Sequence, residues 1–293
     1  MIEKISDTKI VQHFFRDPSA LIGAFLLLTF AAGAIFAPVL APQNPYNLEK
    51  VSLTNFLYPP VWMDGGGMPF LLGTDDQGRG ILSTILYGCR TSLMVGFGVM
   101  LLAGSFGTIL GLIAGFYRGV LDAVVMRIAD VLFSFSVSLT AILVMGLLGG
   151  GGVLTVILAI SLPEWVKYAR TMRGNVLSVR EEEYIDAAEA SGASDFRIMA
   201  KHVMPNSIPS ILVVASVELA VVIMLEATLS FLGVGVPHTK PSLGMMISLG
   251  RDYIFAGKWW LIVFPGTALT GMVIGINLVA DWLRDELNPK SVT

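Results

Sequence analysis

Cysteine, histidine and charged residues are all scarce in this chain of 293 residues. The single cysteine, Cys89, excludes an internal disulfide. The three histidines, His13, His202 and His238, are far apart in the sequence, so they indicate neither a metal site nor a catalytic triad. Charged residues make up only 14% of the chain, against about 25% in a typical soluble domain. The net charge of −3 argues against nucleic acid as a partner.

Two motifs of enzyme active sites are also missing from the sequence. No glycine-rich loop ends in Lys-Ser or Lys-Thr, so this chain is not expected to hold ATP. No serine lies in a nucleophile elbow, which disfavours a membrane-embedded protease or another membrane enzyme. We therefore assign no catalytic residue, no metal ligand and no cofactor to the chain itself.

Apolar residues are abundant instead, at 54% of the chain with a mean hydropathy of +0.73. A helix needs about 20 mainly apolar residues to cross a membrane. The sequence predicts an all-α membrane protein with six transmembrane helices, over residues 20–40, 91–117, 131–148, a fourth beginning at 153–163, 208–235 and 259–280. The first run exceeds the roughly 7–15 apolar residues of a signal peptide, so we interpret it as a span.

The apolar runs divide the chain into five parts. They are an amphipathic N-terminal segment at the membrane surface (1–19), the first span (20–40), an outer loop rich in Pro and Gly (41–90), a core domain with five spans (91–283) and a polar tail (284–293). Small residues recur along two of the predicted spans and indicate close helix packing; they are Ala103, Gly107, Gly111 and Gly115, and later Gly271 and Gly275.

The distribution of basic residues predicts the orientation of the chain. Six spans place both termini on one side, and most of the 19 lysines and arginines lie on that side. The opposite side has only Lys50, Arg79, Arg90, Lys240, Arg251 and Lys258. Because cytoplasmic loops carry the excess of Lys and Arg, we expect the termini and residues 164–205 in the cytoplasm.

A polar segment at 180–206 interrupts the apolar pattern. Its first half predicts a helix with a patch of small residues that includes Ala187 and Ala188, and Gly192 can end that helix with a positive φ. Ser194 can cap a second helix, and Pro205 is expected to end the unit. Such a helix–glycine–helix suits the groove of another protein. An ordinary cytoplasmic loop is an equal alternative on the residues alone.

The outer loop contains a polar turn at 73–80. Asp75 and Asp76 are adjacent carboxylates, but without further ligands they indicate a metal only weakly. A turn, or an ion pair with Arg79, is the favoured interpretation.

Several motifs in this order resemble a known family. The sequence has Asp186-Ala187-Ala188, then Gly192, then an apolar run to Pro205, similar to the "EAA" loop of ABC importer permeases, although His202 replaces the usual Ile. The other motifs are WVKYAR at 165–170, LGTDDQGRG at 72–80, LSFLGVG at 229–235, LRD at 283–285 and NPK at 288–290. They resemble the second permease subunit of dipeptide, oligopeptide and nickel ABC importers, over nearly the whole chain.

The resemblance implies a type I importer fold with a cytoplasmic coupling helix, in the inner membrane. It implies a second permease subunit, two ATPase subunits that hold ATP and Mg, and a periplasmic or lipoprotein substrate-binding protein. The residues that would couple to the ATPase are Asp186, Ala187, Ala188, Gly192 and Pro205, and those near the binding protein are Asp75, Asp76 and Arg79. Peptides are the favoured substrate; nickel chelates, glutathione and opine-like solutes are alternatives, as is a stand-alone secondary transporter or a scaffold without transport.

Two carboxylates, Glu218 and Glu226, lie within the fifth predicted span. A carboxylate at the membrane centre costs about 2.5–3.5 kcal/mol on insertion scales, so it should face protein or water. Both could line a translocation path that contacts peptide amines. Hydrogen bonds to a neighbouring helix are the alternative, which we favour for Glu226.

Overall fold

The computed structural model describes residues 7–46, 55–237 and 239–287, and these are mainly helical. The first helices are α1 (Asp7–Arg16), α2 (Pro18–Ile35), α3 (Ala37–Leu40), α4 (Ile81–Tyr117), α5 (Gly119–Phe133), α6 (Val137–Leu147) and α7 (Val153–Val179). They are followed by α8 (Glu183–Ala190), α9 (Asp195–Ile198), a π-helical segment (Met199–Val203), α10 (Met204–Phe231), α11 (Leu243–Arg251), a 3₁₀ turn (Ile254–Ala256) and α12 (Trp260–Leu287). The all-α prediction is confirmed for this part of the chain.

The first predicted span has clear start and stop signals. The carboxylate of Asp17 accepts hydrogen bonds from the backbone N–H and the hydroxyl of Ser19, at 2.8 and 2.6 Å, which caps α2 and lowers the pKa of Asp17. Pro18 then begins the helix, where a missing N–H costs nothing. The helix breaks at Phe36, because Pro38 lacks the N–H that would continue it. The predicted span at 20–40 is therefore a helix to Ile35 followed by the short α3.

The count of six spans stays a prediction. Among the described residues, α2, α4, the continuous stretch from Asp195 to Phe231, and α12 are long and apolar enough to cross a membrane. The pair α5 and α6 would give a fifth span if taken together. The helix α7 begins with the predicted apolar stretch and continues through several charged residues to Val179.

The segment predicted as a span at 131–148 is not one continuous helix. The helix α5 ends at Phe133 and α6 begins at Val137, with an angle of 94° between them. The hydroxyl of Ser134 donates to the carbonyl of Val131 at 2.6 Å, and Ser136 adopts an extended conformation before α6. Serine side chains that bond nearby backbone groups compete with helix continuation, which explains the break.

Two predicted loops contain helices. The helix α4 begins at Ile81 rather than 91, and so includes Arg90, whose charge had placed the boundary too late. The hydroxyl of Thr84 donates to the carbonyl of Gly80 at 2.9 Å in its first turn. The segment between the last two predicted spans, 236–258, contains α11, which contributes Leu243 to the same apolar core as α10 and α12.

The small residues of α4 pack directly against α7. A Cβ atom at Gly107 would lie 2.3 Å from the carbonyl oxygen of Trp165, and one at Gly111 would lie 2.3 Å from that of Ala169. Only glycine permits this approach of the two backbones. The predicted close-packing face is therefore confirmed.

The second small-residue face brings α12 against α2. A Cβ atom at Gly271 would lie 2.9 Å from the ring of Phe30, and one at Gly275 would lie 2.9 Å from Cβ of Leu26. Gly23 of α2 makes the reciprocal contact. This prediction is also confirmed.

Candidate coupling site and membrane carboxylates

The segment after α7 folds as the predicted helix–glycine–helix. The helix α8 ends at Ala190, and Gly192 has a φ of +80°. The Gly192 N–H donates to the Glu189 carbonyl at 2.9 Å, and the Ala193 N–H donates to the Ala188 carbonyl at 3.1 Å. This pair of bonds is a Schellman motif, which ends a helix when a residue adopts the left-handed conformation.

The second half of the unit runs into α10 without interruption, so the prediction that Pro205 ends the unit is wrong. Met204 has helical angles (φ −60°, ψ −48°), and its N–H donates to the carbonyl of Met199, five residues earlier. Pro205 has no backbone N–H, but it lies in the first turn of α10, directly after this π-helical turn. The helix can therefore continue through the proline. A second proline, Pro209, also lies inside α10. Ser194 occupies the N-cap position of α9, but its hydroxyl makes no capping bond.

This coupling unit, residues 180–206, has an apolar core of its own. The core joins three buried residues of the unit to the C-terminal ends of α4 and α7; they are Ile185, Ile198 and Val203, packed with Phe116, Met172 and Val176. Buried apolar contacts hold the unit to the bundle. The unit is thus more ordered than a plain connecting loop.

The two alanines of the motif differ in burial. Ala188 packs against this core and Ala187 is exposed, together with Asp186 and Gly192. The ring of Phe196 is 76% exposed. Within the part of the chain that the structure describes, the Asp186 side chain forms no hydrogen bond or ion pair, so it does not cap the helix locally. The unit therefore presents a small, partly apolar face to its surroundings.

A polar contact that the sequence did not indicate closes the unit. The side-chain amide of Asn206 donates to the Tyr184 hydroxyl at 3.1 Å and to the His202 carbonyl at 2.7 Å. The rings of Tyr184 and His202 lie 6.3 Å apart. Partial burial, and secondarily the carboxylate of Glu182, raise the pKa of the Tyr184 hydroxyl. This contact ties α8 to the start of α10.

Glu226 lies in a closed cluster of serines. Its side chain is fully buried, and its two oxygens accept hydrogen bonds from the hydroxyls of Ser92 at 2.7 Å, Ser230 at 2.8 Å and Ser242 at 2.8 Å. These serines belong to α4, α10 and the N-cap of α11. The cluster supports the alternative of hydrogen bonds to neighbouring helices.

Glu218 points to a different neighbour. Its carboxylate lies 2.6 Å from the Lys167 ammonium, which also lies 2.9 Å from the carboxylate of Glu164. Glu164 is the first residue of the segment predicted to be cytoplasmic, but its side chain is only 1% exposed, because α7 continues along the bundle and pairs this acid with Lys167. The two span carboxylates therefore do not share one site: Glu218 faces α7, and Glu226 faces α4 and α11.

The polar turn of the outer loop is held by an internal ion pair. The Arg79 Nε donates to the carboxylate of Asp75 at 2.7 Å, and the same carboxylate accepts the backbone N–H of Gln77 at 2.9 Å. Both Asp75 and Arg79 are buried, while Asp76 is half-buried. The favoured interpretation as a turn with an Asp–Arg pair is confirmed, and no group of acids and histidines suited to a metal occurs among the described residues.

The sequence matches two known families. Residues 107–292 match the binding-protein-dependent transport system inner membrane component. The chain belongs to this family. Residues 8–60 match the N-terminal transmembrane domain of oligopeptide transport permease C. Membership makes the chain an inner-membrane permease component of an ABC transporter and not its catalytic subunit, as the motifs had indicated.

Relatives match over almost the full length. The dipeptide transport system permease protein DppC of Haemophilus influenzae is 37% identical over 278 residues, which cover 95% of this chain and 92% of the relative. The di/tripeptide transport system permease protein DppC of Pseudomonas aeruginosa is 36% identical, with 95% and 90% covered. The probable D,D-dipeptide transport system permease protein DdpC of Escherichia coli is 33% identical, with 98% and 93% covered.

Proposed function

We propose that this permease subunit moves short peptides across the inner membrane, in an importer driven by ATP and supplied by a substrate-binding protein. The observation that carries the proposal is the coupling unit, which is packed on α4 and α7 and turns an exposed face with Gly192 outward. The relatives named for di- and tripeptide transport, matched over nearly the whole chain, support peptides as the substrate.

The partners in this proposal are a second permease subunit, two ATPase subunits that hold ATP and Mg, and a periplasmic or lipoprotein binding protein. Asp186, Ala187 and Gly192 contact the ATPase, while Ala188 maintains the shape of the unit from inside. Closure of the ATPases displaces the unit, and Pro205 lies where this displacement enters α10. The spans then reorient, which is alternating access.

Purification and uptake test this function. The chain, co-expressed with its candidate partners and extracted in detergent, is expected to retain an ATPase, and the reconstituted complex should take up a radiolabelled dipeptide only with ATP and binding protein. Competition with unlabelled dipeptide, nickel chelate and glutathione identifies the solute class. A purified chain that carries no ATPase, or that drives uptake without ATP, would refute the proposal in favour of a secondary transporter.

The proposed orientation places both termini in the cytoplasm, from the asymmetry of Lys and Arg. Reporter fusions at Gly150 and at His238, which lies outside the described residues, should report the outer side. Fusions at Arg118 and Ser194 should report the cytoplasm. An outer-side signal at Ser194 would contradict the coupling role, since the ATPases act in the cytoplasm.

The turn at 73–80 is proposed to order the outer mouth close to the docking surface of the binding protein. Asp75 and Arg79 act from inside, through their ion pair, and Asp76 is the more accessible acid. Combined Asp76→Ala and Arg79→Ala substitution should weaken docking of the binding protein and reduce uptake. Unchanged docking and uptake in this double variant would exclude the role.

Of the two span carboxylates, Glu218 is the one that we propose for the translocation path. Its side chain keeps 14% exposure beside Lys167, whereas both oxygens of Glu226 are engaged by serines. Glu218→Gln should change uptake of peptides with a free amino terminus more than that of N-acetylated peptides. Equal effects on both would assign Glu218 to the ion pair alone.

A further inference from the structure

The side chain of Arg180 connects the C-terminal ends of three helices. It occupies the C-cap of α7, and its guanidinium donates a hydrogen bond to the backbone carbonyl of Phe116 in the last turn of α4. The guanidinium carbon also lies 4.6 Å from the centre of the Phe116 ring. Its other terminal nitrogen lies 3.6 Å from the carboxylate of Glu189, in the last turn of α8. Arg180 is the first residue of the polar segment, but it belongs to none of the sequence motifs described above.

The charges at this junction explain why an arginine is there. The last carbonyls of a helix have no partners within the helix and carry partial negative charge, so a cation stabilises them. Glu189 adds a full negative charge at the end of α8, where it is unfavourable unless a cation is close. One guanidinium, with several N–H donors in a fixed plane, can serve the Phe116 carbonyl and the Glu189 carboxylate together.

The apolar core alone does not fix the direction of α8. Ile185 is the one fully buried residue of this eight-residue helix, and apolar contacts are not directional. The Tyr184–Asn206 contact holds the first half of α8 to α10. The second half is joined to α4 through Arg180, so the helix is fixed at both ends, to two different parts of the bundle.

We propose that Arg180 is a positioning residue for energy coupling: it fixes the end of α8 to the end of α4, so that displacement of α8 by the ATPase also moves α4. This inference rests on the proposed function, since it assumes that an ATPase binds the coupling unit. Because α4 packs backbone to backbone against α7 at Gly107 and Gly111, movement of α4 carries α7 with it. Loss of Arg180 leaves the ATPase bound but weakens this transmission.

Three variants and one control test the proposal. Arg180→Gln removes all contacts of the guanidinium, Arg180→Lys keeps the charge without the planar fork, and Glu189→Gln removes only the ion pair. The control is Arg251→Gln, because Arg251 also lies over an aromatic ring, that of Phe231 at 5.5 Å, but outside the coupling unit. Each is assembled with its partner subunits in liposomes. The measurements are the ATPase retained on the complex and the labelled dipeptide taken up per ATP hydrolysed.

Arg180→Gln is expected to retain the ATPase while uptake per ATP falls by about fivefold or more. A factor of about five is the lower end of typical coupling between two sites. Glu189→Gln and Arg180→Lys should lower the same ratio less, and Arg251→Gln should leave it unchanged. A wild-type value of uptake per ATP in Arg180→Gln overturns the inference. The inference is also overturned if the Arg180→Gln complex loses its ATPase while Glu189→Gln keeps the wild-type uptake per ATP. If Arg180→Gln does not assemble, a wild-type ratio in both milder variants overturns it. A wild-type chain that retains no ATPase would instead refute the proposed function.

Discussion

Replacement of Gly192 gives the sharpest test of the coupling unit, because backbone strain and steric bulk can be separated there. The residue has a φ of +80°, and a Cβ atom added to it would find no other atom within 4 Å. Any substituted side chain therefore projects away from the chain, toward the ATPase in the proposed complex. Gly192→Ala and Gly192→Trp both place a non-glycine residue at positive φ and so share the same backbone strain. Only tryptophan adds a large side chain.

The free-energy cost of the backbone conformation at position 192 is modest for a non-glycine residue. A non-glycine residue in the left-handed conformation costs about 1–2 kcal/mol, against a typical unfolding free energy of roughly 5–15 kcal/mol for a domain. The fold should tolerate this cost, since the remaining contacts of Ile185 and Ile198 with α4 and α7 are unchanged. Asparagine adopts this conformation more readily than alanine, so Gly192→Asn should lie closest to the wild type.

We expect Gly192→Trp to insert normally in the membrane, to lose uptake, and to release or uncouple the ATPase, while Gly192→Ala and Gly192→Asn keep most uptake. Membrane insertion, ATPase retention, substrate-stimulated ATP hydrolysis and uptake are measured on the assembled complex. Normal uptake and stimulation in Gly192→Trp would show that this face does not couple. Equal losses in the alanine and tryptophan variants would assign the effect to backbone strain.

Two further predictions concern stability. Ser242→Ala should lower the free energy of unfolding by about 1–3 kcal/mol, because the buried carboxylate of Glu226 loses one of its three donors; detergent thermal unfolding measures this, and an unchanged melting temperature would contradict the cluster. Gly107→Ala should destabilise by roughly 1–3 kcal/mol through overpacking against the Trp165 carbonyl. Gly174→Ala in α7, where a Cβ atom meets nothing within 4 Å, is the matched control and should gain up to about 1 kcal/mol; equal effects of the two changes would refute the packing argument.

The sequence predicted features that depend on local chemistry or on periodicity. Glycines every fourth residue indicated the α4–α7 contact, because the spacing alone places them on one face of a helix. Gly192 was predicted to end α8, since positive φ favours glycine. The Asp75–Arg79 ion pair could also be predicted, because both residues belong to one short turn.

Features that depend on distant partners were missed. The burial of Glu164 was missed because its partner Lys167 also pairs with Glu218, which lies on another helix more than fifty positions away. The start of α4 was placed too late, since Arg90 was treated as a boundary although a helix can carry a charge. Pro205 was treated as a stop, but the π turn before it allows the helix to continue.

Because the π segment continues directly into α10, the proposed coupling unit and the Glu226 cluster are joined by one continuous helix. The 28 residues of α10, at 1.5 Å each, span about 42 Å. A tilt of about 5° at one end then moves the other end by roughly 4 Å over that length. Ser92 of α4 and Ser242 at the N-cap of α11 bond Glu226 near the far end, and these hydroxyl–carboxylate bonds do not survive a shift of that size. In the proposed transport cycle, either these bonds open or α4 and α11 move with α10 as one block. In the second case, three helices with very different positions in the sequence form a single moving part.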